Sequence, residues 1–475
     1  MRRNLVSLSA FALFCAASAA PAWADGAVYA MTNALNHNEV KVYHRASDGN
    51  LTLVQTIATG GGGSGLQLAG IDSLGSAGSI QIDPDHRLLF VVNTESAAEN
   101  NGAGPYNSDC KQGTITSFRV AADGTLSFAD RVFSGGLFPN SLTVKKRADA
   151  GNGRDDDQAQ DGDLLYALNA GGPEVPICNA TPRIAARPNI TGFRINKHGQ
   201  MNSVQLAQPI DPGPAVAPTV PTENCPPLAL NPSPPLADLQ CGLNPPSFPR
   251  SPAQVRFTPD GNRLVVTVKG TNTIYVFPVG ENGKAGNPTT TQASLPILPS
   301  PFGLTFDKEG HLLVTELFGS ATSIAAGGAG AVSSYTIARD GNLIPISLSS
   351  HVNDGGTAAC WIALEPITGH YAYVANNLSN TISSYLVGAD SVPGKVKLLN
   401  PVAASGLGPN DLAVASEAGT SFLYAVVAGN AGAMPAVPAR VAAFRIDTTT
   451  GSLTEIAGGT PGDLPNTSAQ GLAAF

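Results

Sequence analysis

The stretch SPAQVRFTPDGNRLVVTVKGTNTIYVFPV, residues 251–279, decides the fold. Its apolar segments Gln254–Phe257, Leu264–Val268 and Thr273–Val279 read as three strands, the first two joined by the turn Pro259-Asp260-Gly261. The phrase recurs about seven times, with the third-strand aromatic at Tyr43, Phe118, Phe193, Tyr335, Tyr385 and Phe444 in the other copies. A strand-rich repeat of this length cannot cover both its faces alone. It must stack on its neighbours, and radial stacking gives an all-β propeller.

Seven second strands are continuous apolar runs: Val28–Met31, Leu88–Val92, Leu164–Leu168, Leu264–Val268, Leu312–Thr315, Tyr371–Ala375 and Phe422–Val427. Runs of this kind suit strands covered on both faces, so seven blades are expected. The first unit opens directly on a second strand, Ala27–Thr32, and lacks an inner strand. The chain ends on an orphan inner strand, Gln470–Phe475. Pairing of the two termini would complete one blade and remove two exposed sheet edges.

The repeats overrule the several domains that 475 residues would otherwise suggest, and residues 25–475 read as one propeller domain. A low charged fraction, 13%, with 52 glycines and 37 prolines, fits short strands and turns. Residues 1–24 read as a signal peptide. Arg2 and Arg3 form its basic start, Leu5 to Ala20 its apolar core, and Ala22-Trp23-Ala24 its small-x-small cleavage site. That core is short for a bilayer span, and Phe14 before Cys15 argues against lipidation. The mature chain is therefore expected to begin at Asp25, to carry no membrane span, and to reach the periplasm or the medium. Loss of Arg2 and Arg3 moves the formal charge from −8 to −10, which disfavours nucleic acid as a partner. A monomer is expected.

Three inserts interrupt the repeats, near residues 96–113, 145–163 and 209–249. They are polar, acidic and proline-rich in turn, and read as surface loops. In an oxidising compartment Cys225 and Cys241, which bracket the proline-rich loop, are the first candidate disulfide. Cys110 and Cys178 are the second, and Cys360 is left over. No CxxC spacing occurs, so no zinc site is expected. Asp155-Asp156-Asp157, Asp161 and Asp163 do not follow a calcium-loop spacing and read as a solvated acidic loop. No metal and no cofactor is called for.

Propeller sites gather where loops enter the inner strands. Those entries supply Asn140, Gln254, Phe302, Trp361, Asn410 and Asp411 as candidate substrate-binding residues, with Gln470 a further amide. The plain alternative is that the amides cap backbone groups. Second-strand exits supply Asn33, Asn93, Glu95, Asn169, Lys269, Glu316 and Asn376. Among these Glu316 is the candidate general base and Lys269 the candidate anion holder. The alternative for each is a satisfied structural group. His86, His198 and His311 fall in turns, and only His37 lies near the expected channel.

The entry phrase Ser251-Pro252-Ala253-Gln254, the third-strand phrase Val332-Ser333-Ser334-Tyr335 and Thr357-Ala358-Ala359-Cys360-Trp361 resemble the seven-bladed lactonase family. That family includes bacterial 6-phosphogluconolactonase and fungal carboxymuconate-lactonising enzyme. The likeness runs over almost the whole mature chain. It implies hydrolysis or isomerisation of a small lactone or sugar acid at the channel. The family's Pro-Arg-His entry reads Pro252-Ala253-Gln254 here, and its Asn-Glu-Leu exit reads Thr267-Val268-Lys269. One blade later Thr315-Glu316-Leu317 keeps the Glu-Leu pair, so Glu316 alone carries over. Whether the chain is an enzyme stays open at this point. The rival reading is a non-catalytic propeller that binds a ligand or a protein through its channel-face loops.

Overall fold

The computed structural model describes residues 26–34, 37–65, 74–83, 85, 87–94, 112–146, 163–171, 188–210, 252–269, 271–293, 301–317, 330–346, 351–406, 408–427, 429, 438–457, 460, 462–466 and 468–475. They form seven antiparallel sheets. The proposed signal peptide, Cys110, Cys178, Cys225, Cys241, His86, Glu95, Asp155 to Asp157 and Asp161 lie outside these residues. The single helical element among the described residues is the short 3-10 turn Ala389–Ser391.

Within each sheet the strands follow chain order outward from the inner strand, except at the closure and at Val352–Asn353, which pairs with the third strand of its sheet. The blade built on the opening repeat has strands Pro252–Phe257, Arg263–Val268, Thr273–Pro278 and Thr289–Gln292. Val279, expected at the end of the third strand, instead makes an isolated bridge to Ala285. The third-strand aromatics Tyr43, Phe118, Phe193, Tyr335, Tyr385 and Phe444 are all buried between blades.

Closure joins the termini. Leu472–Ala474 pairs antiparallel with Gly26–Met31, Val28 facing Ala474 and Ala30 facing Leu472. Outer strands Glu39–Arg45 and Leu51–Ala58 complete that first blade. Arg45 locks the seam, its guanidinium donating to the Phe475 carbonyl at 3.1 Å and to Glu417 at 2.7 Å. Blades two to seven then begin at the inner strands Ile80–Ile82, Pro139–Lys145, Pro252–Phe257, Pro301–Phe306, Ala359–Leu364 and Pro409–Glu417.

Register sorts the described strand ends by face. Asn93 faces Thr114 at the sheet end level with the inner-strand entries. Pro209 and Pro252 stand at that same end of their sheets. Lys145 and Leu164 pair at the opposite end.

Candidate functional site at the channel entry

Five of the inner strands enter their sheets through a register shift: Pro139/Ser141, Pro252/Gln254, Pro301/Leu304, Ala359/Trp361 and Pro409/Asp411. A bulge takes a residue out of pairing and re-aims its side chain. Asn140 and Asn410 sit at such shifts, which is how strand-edge residues come to point along the channel mouth.

Lys269, Phe302, Trp361 and Asn140 gather around one segment of the chain itself. Leu74–Ser79, the approach to the inner strand of blade two, runs across the mouth. The Ser76 carbonyl accepts from Trp361 Nε1 of blade six at 3.1 Å and from Gln470 Nε2 of blade one at 2.9 Å. Gln470 Oε1 in turn accepts the Leu74 N–H at 3.1 Å. On the other side Ser76 Oγ donates to the Asn140 carbonyl at 2.7 Å, and the Ala77 N–H donates to the Ala253 carbonyl at 3.1 Å. Blades three and four therefore hold one side of the segment and blades six and one the other. Leu74 and Ser76 are fully buried.

Lys269 belongs to this arrangement. Its side chain is 1% exposed, and Nζ donates to the Gly75 carbonyl. The same ammonium lies 5.1 Å from the centre of the Phe302 ring, which meets Trp361 edge-on at 5.7 Å. A desolvated lysine is held here by a carbonyl and a ring face. The expected anion holder thus holds main chain.

Glu316 takes a different partner. It is fully buried at the end of its second strand, opposite Pro301 and Ala331. Ser333 Oγ, two residues into the third strand, donates to Glu316 Oε1 at 2.6 Å. The same bond recurs elsewhere in the ring. Asn93 faces Thr114 and donates to Thr116 Oγ1 at 3.1 Å, and Asn376 faces Thr381 and donates to Ser383 Oγ at 2.7 Å. Glu316 is thus the carboxylate version of a repeated strand-to-strand bond.

The remaining candidates also make internal bonds. Gln254 Oε1 accepts the Leu304 N–H of the next inner strand at 2.6 Å, and Asn140 Nδ2 donates to the Pro252 carbonyl at 3.0 Å. Asn410 Oδ1 accepts from Asn377 Nδ2, and Asp411 Oδ1 accepts the Leu412 N–H at 2.8 Å. His37 is exposed and stands 3.2 Å from Glu39. Backbone capping, the plain alternative for the amides, describes Gln254 and Asn140.

Sequence reasoning missed Leu74–Ser79. Its signal was available: Leu74-Gly75-Ser76-Ala77-Gly78-Ser79 is almost all small residues, the kind that fit a narrow bore. Gly75 and Gly78 adopt φ of 63° and 80°, a conformation that favours glycine.

No protein-family model and no curated protein matches the chain. Solved structures match its fold. A protein from Lactobacillus plantarum aligns with TM-score 0.59 at 15% identity, covering 95% of this chain and 99% of its own. A 6-phosphogluconolactonase-like protein of Bacteroides uniformis aligns with TM-score 0.58 at 14% identity, over 95% and 100%. The Pseudomonas aeruginosa periplasmic gluconolactonase aligns with TM-score 0.56 at 15% identity, over 95% and 99%. At these identities the likeness is one of fold.

Proposed function

We propose that this chain is an exported propeller of lactonase-like fold that binds a small molecule or a protein partner at its entry face, without turnover by Glu316 and Lys269. One observation carries the reading: Lys269 is bonded to the Gly75 carbonyl inside a mouth already crossed by Leu74–Ser79. A base needs reach to a substrate proton, and an anion holder needs an accessible charge. Both candidate groups are committed to internal partners.

A hydrolysis screen over aldonolactones, with and without a phosphate group, tests this. The expected result is a wild-type rate equal to that of Glu316→Gln and Lys269→Met. A loss of about 100-fold or more in either variant would establish the catalytic reading instead.

That second reading is hydrolysis of a small lactone or sugar acid. It is favoured by the periplasmic gluconolactonase that shares the fold over 95% of this chain. It requires Leu74–Ser79 to leave the mouth before substrate enters.

Export, a single domain over residues 25–475, a monomeric state, and disulfides Cys225–Cys241 and Cys110–Cys178 belong to the same proposal. The intact mass of the secreted protein should correspond to a start at Asp25. A non-reducing peptide map should recover both linked pairs, and free thiols at these four positions would refute the pairing.

A further inference from the structure

Arg256 stands apart from every group considered so far. Among the described residues of the seven inner strands only Arg256 and Ser416 are exposed, and Ser416 lies at a hairpin tip, where it pairs with Ser421. Arg256 is in the body of its strand, with Val255 and Phe257 buried on either side. Those two neighbours pack toward blade three, among Leu164, Tyr166 and Leu168. The Arg256 side chain takes the other face of the strand, the one from which Gln254 reaches the inner strand of blade five.

The register shows what surrounds it. Arg256 faces Val265. The matching pairs around the ring are Ala473 with Tyr29, Gln81 with Phe90, Thr143 with Tyr166, Thr305 with Leu313, Ala363 with Tyr373, and Ala413 with Tyr424. Five of these six inner-strand positions are Ala or Thr, and all five are buried. Adjacent inner strands are too close there for bulk. A guanidinium at this height has only the bore to extend into, below the mouth closed by Leu74–Ser79.

The cation is uncompensated. Among the described residues no hydrogen bond, ion pair or ring contact engages its side chain. The protein crowded around it lowers its pKa with no acidic group to offset that, while its exposure shows that solvent reaches the side chain. A positive charge lining a narrow bore, with no counter-charge from the chain, makes that bore attractive to a soluble anion. Guanidinium also presents a planar fork that matches a carboxylate or phosphate with two bonds.

We propose that the lower bore is a binding site for a small oxyanion, carboxylate or phosphate, held by Arg256. The site is independent of Glu316 and Lys269 and holds under either reading of the entry face. Gln81 of blade two is half-buried at the same register height.

The test is calorimetric melting of the full mature chain in chloride buffer, then with inorganic phosphate or gluconate at matched ionic strength. At 10 mM, at least one anion should raise the wild-type Tm by about 2 °C or more. Arg256→Gln should lose that shift. In the chloride buffer it should melt within about 2 °C of wild type, because an exposed side chain with no bond in the chain is lost. Arg256→Lys, which keeps the charge and loses the fork, should respond less than wild type. Arg263→Gln, on the exposed hairpin of the same blade, should respond fully. The comparison of phosphate with gluconate assigns the anion class. The proposal is overturned if neither anion shifts wild type, if Arg256→Gln shifts equally, or if Arg256→Gln melts several degrees lower in chloride.

Discussion

Glu365 closes the hairpin after the inner strand Ala359–Leu364. Its Oε1 accepts from the Ile367 N–H at 2.7 Å and from Ser421 Oγ at 2.5 Å, while Oε2 accepts from Thr368 and the Gly369 N–H. Burial opposes the charged form, but the bonds from Ser421, Thr368 and the backbone outweigh it and lower the pKa below the ordinary 4.5. A depressed pKa in the folded state means stability that is present above the unfolded value and lost as pH falls through the folded value. Glu365→Gln should therefore cost about 1–3 kcal/mol at pH 7, with the difference from wild type shrinking below about pH 4. Melting temperatures of both proteins between pH 3 and pH 7 check this, and a constant difference would refute it. Glu316 gives a contrasting case. Since Asn93 and Asn376 make the equivalent bond with amides, Glu316→Gln should stay within about 1 kcal/mol of wild type. Glu316→Leu strands the buried Ser333 hydroxyl and should cost about 2 kcal/mol, measured by chemical denaturation.

At the scale of one element, the segment Leu74–Ser79 owes its place to hydrogen bonds with four blades, some donated to it and some accepted from it, rather than to any strand pairing of its own. Lys269→Met removes the ammonium but keeps an unbranched apolar chain against Phe302. The Gly75 carbonyl then loses that donor. Hydrogen exchange at the Ala77 amide, bonded to the Ala253 carbonyl, should accelerate by about tenfold or more, while the Val266 and Val374 amides in the second strands stay protected. Uniform acceleration across the ring would show that Lys269 stabilises the whole propeller and not this segment. Trp361→Phe keeps an aromatic ring against Phe302 and deletes the Nε1 donor to Ser76, so it should give a smaller effect of the same kind.

The whole molecule depends on ring closure. Deleting residues 470–475 removes the inner strand of blade one, the Gln470 amide at the Ser76 carbonyl and the Phe475 carbonyl that binds Arg45. It also exposes the edge of Gly26–Met31, a strand almost wholly buried in the closed ring. The truncated chain should melt about 10 °C or more below the full chain, without one cooperative transition, and should aggregate on size exclusion. A monomer with an unchanged melting curve would show that the other six blades suffice.

The amino-acid sequence by itself determined the blade count, the second strands, the buried third-strand aromatics and the joining of Gly26–Met31 to Leu472–Ala474, because each follows from a local periodicity repeated seven times and each copy votes for the same geometry. It also marked the inner-strand entries from which Asn140, Gln254, Phe302 and Trp361 project. Only the tertiary structure decided what those residues face. The crossing of the mouth by Leu74–Ser79, the Lys269 bond to Gly75 and the solitary position of Arg256 in the bore all depend on blades far apart in the chain. Such contacts are set by how seven sheets close around an axis, and a one-dimensional pattern carries no record of which residues meet there.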